Sequence, residues 1–580
     1  MSDTTADQGR ASTPASTPAG TADHPPLSHR EIITILIGLM LGMFLAALDQ
    51  TIVASAMRVI ADDLNDLAGQ AWVTTAYLIT ATIATPLYGK LGDIYGRKKL
   101  FLFAISIFTI GSMLCTLAWS IPALAAFRAV QGIGAGGLFS LALAIIGDIV
   151  PPRERARYQG YFLAVFGTSS VIGPVVGGLL AGQATILGIT GWRWVFLVNV
   201  PIAIIALVVV SRTLHLRHHR LDHRIDYWGA AALSIALVPL LIVAEQGRGW
   251  GWGSATSILC YAIGLVGAVA FFLIERNMGD EALIPLRLFS NRTIAAASVS
   301  SVFIGMGMFG GLAALPLYLQ IVKGATPTQA GLMLLPMTGG IMFGSIFSGQ
   351  TISRTGRYRI FPIVGSAILV AALFGFHYIG ADTPLWKTMI GMFFFGIGLG
   401  FNFQPLTLAV QNAVPRRDIG VATSSATFTR QIGGTLGTAV FLSILFSQAG
   451  TKIGDAFSRL AGTPAFQSAL RNPNQGDPTT NHQFVAQLHA ASQSGNTGGA
   501  GANALSDSSF INQLDPRLAR PFLVGFSDAM SVVFLVASGV LVLAFIASLF
   551  LPHVDLGPGP GQQGATQGDA EAAPVAAAGH

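Results

Sequence analysis

The stretch GKLGDIYGRKK at residues 89–99 has a counterpart 260 positions later, GQTISRTGRYR at residues 349–359. The two stretches share, in register, a glycine followed by an arginine and a further basic residue. A second match has nearly the same offset: Gly-Ile-Gly begins at Gly132 and again at Gly396, each time 19 residues before a proline. Two matches at nearly one offset predict a chain of two similar halves in the same orientation.

The composition indicates that both halves lie in a membrane. Hydrophobic residues make up 52% of the 580 residues and charged residues 10%, against about 25% charged in an ordinary soluble domain. Apolar runs long enough to span a hydrocarbon core of about 30 Å recur along the chain. They predict fourteen spanning helices, near residues 32–60, 70–92, 99–120, 121–147, 157–182, 193–213, 227–246, 256–274, 293–322, 328–353, 359–380, 385–413, 420–447 and 528–551.

The repeat and the apolar runs together predict an all-α integral membrane protein with two six-helix halves plus two inserted helices. Basic residues concentrate in alternate connections, which places those connections and both tails in the cytoplasm, at a cell inner (plasma) membrane. Parallel halves of this kind are typical of transporters with a midplane cavity. The predicted divisions are a disordered tail at 1–30, the N-terminal half at 31–213, the inserted pair at 214–276, the C-terminal half at 277–552 with an external loop at 449–527, and a disordered tail at 553–580.

Two ionisable residues, one acidic and one basic, lie deep inside long apolar runs. Asp49 lies in FLAALDQTIVASAM at residues 44–57, and Arg128 lies in the fourth run. An Asp near a helix centre costs about 2.5–3.5 kcal/mol on insertion, so such residues usually have a function. Both are expected near the middle or outer half of the membrane, where they can meet. Burial raises the proton affinity of a carboxylate and a nearby cation lowers it, which predicts proton coupling, with a static ion pair as the alternative.

Several stretches resemble known transporter signatures. Three stretches resemble signatures of the major facilitator superfamily: GKLGDIYGRKKLF at 89–101, RAVQGIGAGG at 128–137 and the antiporter-type motif GPVVGG at 173–178. Three more resemble the fourteen-helix branch of that family, the bacterial drug:proton antiporters that export multiple drugs. They are LDQTIV at 48–53, GWRWVFLVNVP at 191–201 and LPLYLQIVKGATPTQAGLMLLP at 315–336. The resemblance covers about residues 30–447 and the final helix.

The loop signature predicts a conformational latch. Asp93 and Arg97 are one helical turn apart and can pair with each other or with a facing helix end. The resemblance adds Asp148 as a third member, and Gly89 and Gly96 belong to the same motif. The alternative is that the basic residues merely hold the loop on one side of the membrane.

The antiporter-type motif contains small residues and a proline but no ionisable group. Gly173, Gly177 and Gly178 remove side-chain bulk so that helices can approach closely, and Pro174 permits bending. The resemblance implies exchange of substrate against protons, whereas a plain packing seam is the alternative interpretation.

Polar or flexible side chains on otherwise apolar helices predict a substrate cavity. The candidates are Gln50, Gln131, Met306, Tyr318, Gln320, Asn402, Gln404 and Arg430. Such a surface suits lipophilic or amphiphilic guests through area burial and adaptable packing. Three roles remain open for Arg430: binding an anionic substrate group, binding a carboxylate, and capping backbone carbonyls.

These features predict a proton-coupled antiporter, not an enzyme, that exports lipophilic or amphiphilic compounds by alternating access. The chain has no GxxxxGK[ST] loop, so we expect the proton gradient to drive transport without a cofactor or metal. Expected partners are small molecules, protons and membrane lipids, with no nucleic acid. Export of an endogenous lipid, siderophore or other metabolite is one alternative, and a non-transporting receptor or assembly partner is another.

The predicted external loop at 449–527 is far longer than the other connections. Its middle, NPNQGDPTTNHQ and SQSGNTGGAGAN, is polar and glycine rich, so we expect it to be mobile and without a core. Its flanks, FSRLAGTPAFQSALR and FVAQLHAASQ, have the apolar spacing of short amphipathic helices. A lid or docking surface for an external partner and a tolerated insertion are the two interpretations.

Overall fold

The computed structural model describes residues 29–65, 70–150, 152–214, 226–415, 418–473, 475–493 and 509–552. The helices are α1 (His29–Asp63), α2 (Gln70–Tyr95), α3 (Arg97–Thr116), α4 (Ile121–Ile149), α5 (Pro152–Ala181), α6 (Trp194–Leu197), α7 (Asn199–Thr213), α8 (Tyr227–Trp250), α9 (Ala255–Met278), α10 (Arg292–Leu317), α11 (Pro327–Met333), α12 (Leu335–Thr355), α13 (Ile360–His377), α14 (Leu385–Asn412), α15 (Ile419–Leu460), α16 (Pro464–Arg471), α17 (Pro478–Gln493) and α18 (Pro516–Leu549). A small antiparallel hairpin follows α5, with strands β1 (Thr185–Ile186) and β2 (Ile189–Thr190). Most of the two predicted disordered tails lies outside the described residues.

Twelve helical segments of the described residues are long and apolar enough to cross a membrane. The predicted helices at 70–92 and 157–182 correspond to α2 and α5, which are not among the twelve, although Val165–Ala181 of α5 is a shorter apolar helix. The predicted fold class of a helical membrane protein is confirmed, and the count of fourteen spans stays a prediction.

The internal repeat corresponds to two copies of one helix contact. A Cβ added to Gly132 on α4 would lie 2.4 Å from the carbonyl oxygen of Tyr77 on α2. A Cβ added to its repeat counterpart, Gly396 on α14, would lie 2.1 Å from the carbonyl oxygen of Met337 on α12. In each half a glycine therefore lets two helix backbones touch, at a distance that no side chain permits.

The inserted helices α8 and α9 pack against each other and lie beside both halves. Leu233 on α8 belongs to an apolar cluster with Phe428 on α15, and Leu87 on α2 packs against that cluster. On α9, Leu265 and Val266 are about two-thirds exposed, as expected for a helix that faces lipid. The pair thus covers the line along which α2 of one half meets α15 of the other.

We call the end of the bundle at the α2–α3 connection the latch end, and the opposite end the cap end. At the cap end, α15 continues to Leu460 and α18 already begins at Pro516. The two helices therefore extend into both ends of the predicted connection at residues 449–527. A Cβ on Gly525 would lie 2.4 Å from the Cα of Ile453, which shows how closely the two helices continue together.

The described residues of 461–515, which we call the cap, form a small folded unit on these two helices. Phe457 of α15 and Phe522 of α18 meet with ring centroids 4.9 Å apart. Phe466, Phe484 and Phe510 of the cap pack around this pair, with centroid distances of 6.0 Å to Phe457 and of 5.6 and 5.5 Å to Phe522. Edge-on aromatic contacts of this kind add to the stability gained by burying the rings.

Most described residues of NPNQGDPTTNHQ are exposed, as expected for a stretch without a core, and Asn481 is the exception. Asn481 within it is 1% exposed, and its side chain donates to the Gln475 carbonyl (2.7 Å) and accepts from the Asp515 backbone N–H (2.9 Å). The side chain of Asn481 is thus buried with its hydrogen bonds made, which composition does not reveal. Residues 494–508, most of the second glycine-rich stretch, lie outside the described residues.

We expect Asp515→Asn to loosen the cap by about 1 kcal/mol at neutral pH, since solvent screens part of the interaction with Arg517. Hydrogen bonds from the Arg517 side chain hold the pKa of Asp515 at about 2, below its ordinary value of 3.8. Because this pKa is depressed, the stabilisation is present above about pH 4 and disappears as the pH falls toward 2. Hydrogen exchange of the Asn481 backbone N–H should then be roughly fivefold faster in the variant at pH 7.

The matched control is Asp528→Asn, because Asp528 forms an exposed pair with Arg459 (2.7 Å) on the same helix pair. An exposed ion pair contributes little, so this change should leave exchange in the cap nearly unaltered. Equal exchange rates in the Asp515 variant and wild type would contradict the assignment of Asp515 to the stability of the cap.

Candidate functional site

The structure brings Asp49 and Arg128 into direct contact. Arg128 Nη1 on α4 lies 2.5 Å from Asp49 Oδ2 on α1, and both side chains are almost fully buried. Gln131, one helical turn after Arg128, donates to Asp49 Oδ1 (2.9 Å) and accepts from Arg128 Nη1 (2.7 Å). The amide therefore orients both charged groups at once, and the carboxylate is compensated by the guanidinium.

Three further residues complete this network, and sequence reasoning assigned none of them a role. Asn199 at the start of α7 donates from its side-chain nitrogen to Asp49 Oδ1 (2.8 Å) and to Ser112 Oγ (3.1 Å). The guanidinium carbon of Arg128 lies 4.1 Å from the centre of the Tyr77 ring, a cation–π contact. The network thus joins five helices of the N-terminal half. A polar residue within the apolar stretch VFLVNVP was the signal that could have identified Asn199.

The glycines of the antiporter-type motif pack α5 against α1 directly beside this network. A Cβ on Gly173 would lie 2.1 Å from Thr51 Oγ1, and one on Gly177 would lie 2.1 Å from Ser55 Oγ. Pro174 faces the other half, where a Cβ added to Gly331 would lie 3.2 Å from the Pro174 ring. Gly178 is exposed. Because Thr51 is two residues after Asp49, any larger side chain at position 173 must displace the segment that carries the carboxylate.

A cavity of about 190 Å³ lies between the two halves. Of the predicted cavity residues, Gln50 from the N-terminal half and Gln404 and Arg430 from the C-terminal half line it. Its wall is otherwise largely apolar and aromatic, including Phe139 and Phe403. Such a lining takes up an apolar guest by area burial and orients it through a few polar groups.

The other predicted cavity residues are not among those that line this cavity. Gln131 is fully buried in the ion-pair network, and Asn402 donates to the Gly398 carbonyl of its own helix (2.7 Å). The hydroxyl of Tyr318 donates to the Gly380 carbonyl (3.1 Å). Met306 packs against Gly437 on the neighbouring helix, and Gln320 is half-buried in the π-helical turn after α10. Helix rotation determines which polar side chains reach the cavity, and residue type alone does not reveal it.

The predicted latch residues form a connected charge cluster. Arg97 Nη2 lies 2.9 Å from Asp93 Oδ1, and Arg97 Nη1 lies 2.6 Å from Asp148 Oδ2. The second oxygen of Asp93 accepts from the Val421 backbone N–H (3.1 Å), at the first turn of α15 in the other half. A carboxylate at a helix N-terminus is favoured by the unpaired N–H groups and the helix dipole. Gly96 takes the turn between α2 and α3 at a φ of 95°, which favours glycine.

Further contacts hold the two halves together near this end. A Cβ on Gly89 would lie 2.0 Å from Ser424 Oγ, so α2 and α15 touch at that level. Gln411 donates to the Leu143 carbonyl (3.0 Å), and the hydroxyl of Thr85 donates to Gln431 (3.0 Å). The structure therefore has its latch end closed, and opening that end requires these contacts to break.

Chemically, the site combines a buried ion pair in one half, a cavity shared by both halves and a set of breakable contacts at one end. The described residues contain no group of three or more His, Cys, Asp or Glu side chains placed to hold a metal ion. The arrangement is suited to binding a molecule and changing the exposure of the cavity, since charge, guest and closure meet within one bundle.

Comparison with known proteins agrees with this geometry. The family model described as Major Facilitator Superfamily matches residues 39–438. "Multidrug resistance protein 3" of Bacillus subtilis is 34% identical over 519 residues, which covers 89% of this chain and 94% of the relative. A "Tetracycline resistance determinant" of Streptomyces rimosus is 39% identical over 327 residues, covering 56% of this chain and 91% of the relative.

Other similar proteins extend across more of the chain. An "Uncharacterized MFS-type transporter" of Mycobacterium tuberculosis is 33% identical over 536 residues, covering 92% of this chain and 72% of the relative. Among solved structures, the proton:xylose symporter XylE superposes with a TM-score of 0.56 at 15% identity, covering 91% of this chain and 97% of that protein. At this identity the structural likeness concerns the fold alone.

Proposed function

Because the chain belongs to the Major Facilitator Superfamily, a family of multi-pass membrane transporters and not of enzymes, we propose that it is a proton-coupled antiporter exporting lipophilic or amphiphilic compounds. The names of two relatives, one for multidrug and one for tetracycline resistance, support export as the direction of transport. The proton gradient is the proposed energy source, and no bound cofactor is required.

The observation that carries the proposal is the buried pair of Asp49 and Arg128. Asp49 is fully buried, with Arg128, Gln131 and Asn199 donating to its two oxygens. A proton on Asp49 removes the charge that Arg128 compensates and turns an acceptor into a donor, so the network must rearrange. Gln50, the next residue on α1, lines the cavity, which supports coupling between the protonation of Asp49 and the occupancy of the cavity.

The proposed cycle alternates which end of the bundle is closed. With the latch end closed, Asp93 accepts from the N-terminus of α15 and the two halves touch near Gly89. With the latch end open, those contacts are lost and the cavity is reached from that side. We place the latch end and both termini in the cytoplasm, because the basic connections predict that side, and the cap outside the cell membrane.

Transport of a matched dye set into vesicles tests the proposal. We specify three pyrene probes with one alkyl linker that ends in a sulfonate, a hydroxyl or a quaternary ammonium group, none of which titrates near neutral pH. In proteoliposomes with the membrane potential clamped, an acidic lumen should drive uptake of at least one probe, and an equal pH on both sides should abolish concentrative uptake. Uptake that is unaffected by the pH gradient would overturn proton coupling, and no protein-dependent movement of any probe would favour a non-transporting role.

A further inference from the structure

Arg430 is the one charged side chain among the described residues that line the cavity. It lies on α15, and its guanidinium carbon is 4.5 Å from the centre of the Phe403 ring on α14. Within the described part of the chain, the Arg430 side chain has neither an ion pair nor a hydrogen bond, and no Asp or Glu lines the cavity. The cavity therefore carries a positive charge that the protein does not neutralise.

Arg128 and Arg97, two buried arginines on other helices, differ from Arg430 in this respect. Arg128 is neutralised by Asp49, and Arg97 is paired with both Asp93 and Asp148. A charged side chain at membrane depth costs several kcal/mol unless it is paired or solvated. A cation–π contact with Phe403 offsets part of that cost but leaves the five N–H donors of the guanidinium available to a guest.

Gln404 provides a second, independent indication in the same cavity. This residue follows Phe403 on α14, its side chain is 3% exposed, and it lines the cavity. Neither its amide nitrogen nor its amide oxygen has a hydrogen-bond partner among the residues that the structure describes. A buried polar group without a partner costs about 1–3 kcal/mol, which a ligand that accepts from the amide nitrogen would recover.

We propose that the cavity selects lipophilic molecules that carry an anionic oxygen group, such as a carboxylate or sulfonate, held between Arg430 and Gln404. The guanidinium supplies paired donors with the geometry of a carboxylate, and the amide supplies one more. The apolar part of the molecule packs on the aromatic wall, which includes Phe139 and Phe309. Because Arg430 already occupies the Phe403 face, organic cations meet a like charge and are disfavoured.

The proposal rests on the proposed function only in treating the cavity as the substrate site, so binding can be tested without a proton gradient. The full chain is purified in detergent, and the three pyrene probes are titrated by fluorescence anisotropy. The sulfonate should bind about tenfold more tightly than the alcohol, and the quaternary ammonium should bind most weakly. Arg430→Gln should abolish the difference between sulfonate and alcohol, Arg430→Lys should retain part of it, and Gln404→Leu should reduce it about threefold.

The charge-matched control is Arg459→Gln, since Arg459 lies on the same helix but outside the cavity, in an exposed pair. It should leave all three affinities unchanged. Each variant is first checked for a monodisperse elution profile, and if Arg430→Gln fails that check, Arg430→Lys and Gln404→Leu decide the question. Equal affinities of the three probes in wild type, or a sulfonate preference that survives in the Arg430 and Gln404 variants, would overturn the proposal. These titrations involve no proton gradient, so a failure of proton coupling would leave the measured affinities unaltered and is distinguishable from a failure of charge selection.

Discussion

Asp49→Asn should abolish proton-driven export, by about 100-fold or more, while leaving the protein folded and inserted. The asparagine keeps the shape of the side chain and one acceptor for Arg128, but it removes the charge that a proton would titrate. Movement of a probe down its own concentration gradient should persist, because the cavity lining is unaltered. The measurement compares uptake into proteoliposomes with an acidic lumen and with equal pH on both sides, for wild type and variant.

The control for this prediction is Asp382→Asn, which removes a carboxylate that is 73% exposed and paired with Arg520. That variant should transport like wild type. An Asp49→Asn protein whose uptake still follows the pH gradient would show that another group couples the proton. An Asp49→Asn protein that fails to insert would assign the pair a purely structural role, the alternative that the sequence left open.

Gly89→Ala should stop the latch end from closing and reduce transport by at least tenfold. The added Cβ would lie 2.0 Å from Ser424 Oγ and 2.5 Å from Ser424 Cβ, closer than non-bonded atoms tolerate. The halves must separate at that level, which weakens the bond from Val421 to Asp93 and favours the open latch end. Spin labels at exposed Tyr95 and Thr355, one in each half at the latch end, should report a longer mean distance.

Ser424→Gly in the Gly89→Ala background should restore much of the closure, because the remaining contact, with the Gly420 carbonyl oxygen, is at 3.0 Å. Gly375→Ala is the matched control, since a Cβ there meets nothing within 4 Å. An unchanged label distance in Gly89→Ala would show that the latch end tolerates the added methyl. Failure of Ser424→Gly to shorten the distance would show that the α2–α15 contact does not control closure.

The fold was predictable because the sequence repeats the residues that make its closest contacts. Gly132 and Gly396, 264 positions apart, each allow two helix backbones to touch within their own half. The contact between Asp49 and Arg128 followed from a general rule, that a charge inside a membrane needs a partner. These features depend on residue type and on depth along a helix, and both can be derived from the order of residues.

Features that depend on helix rotation or on distant partners were not predictable. Asn402 and Gln404 are two residues apart on one helix, yet Asn402 is buried against its own helix and Gln404 lines the cavity. The bond from Asn199 to Asp49 joins residues 150 positions apart. The short helices of the cap were predicted from their apolar spacing. Its aromatic core was not, since that core forms only when Phe457 and Phe522 are brought together.

Reversal of an imposed pH gradient is the measurement that tests the central claim most directly. Proteoliposomes with a clamped membrane potential are loaded with whichever pyrene probe wild type transports best, and the pH gradient is set first in one direction and then in the other. If Asp49 couples protons to export, the probe should accumulate in the acidic compartment each time, so that its net movement in wild type changes sign with the gradient. In Asp49→Asn the net movement of the probe should be the same for both directions of the pH gradient. Net movement in wild type that keeps its direction when the gradient is reversed, or that still changes sign in Asp49→Asn, would contradict the account.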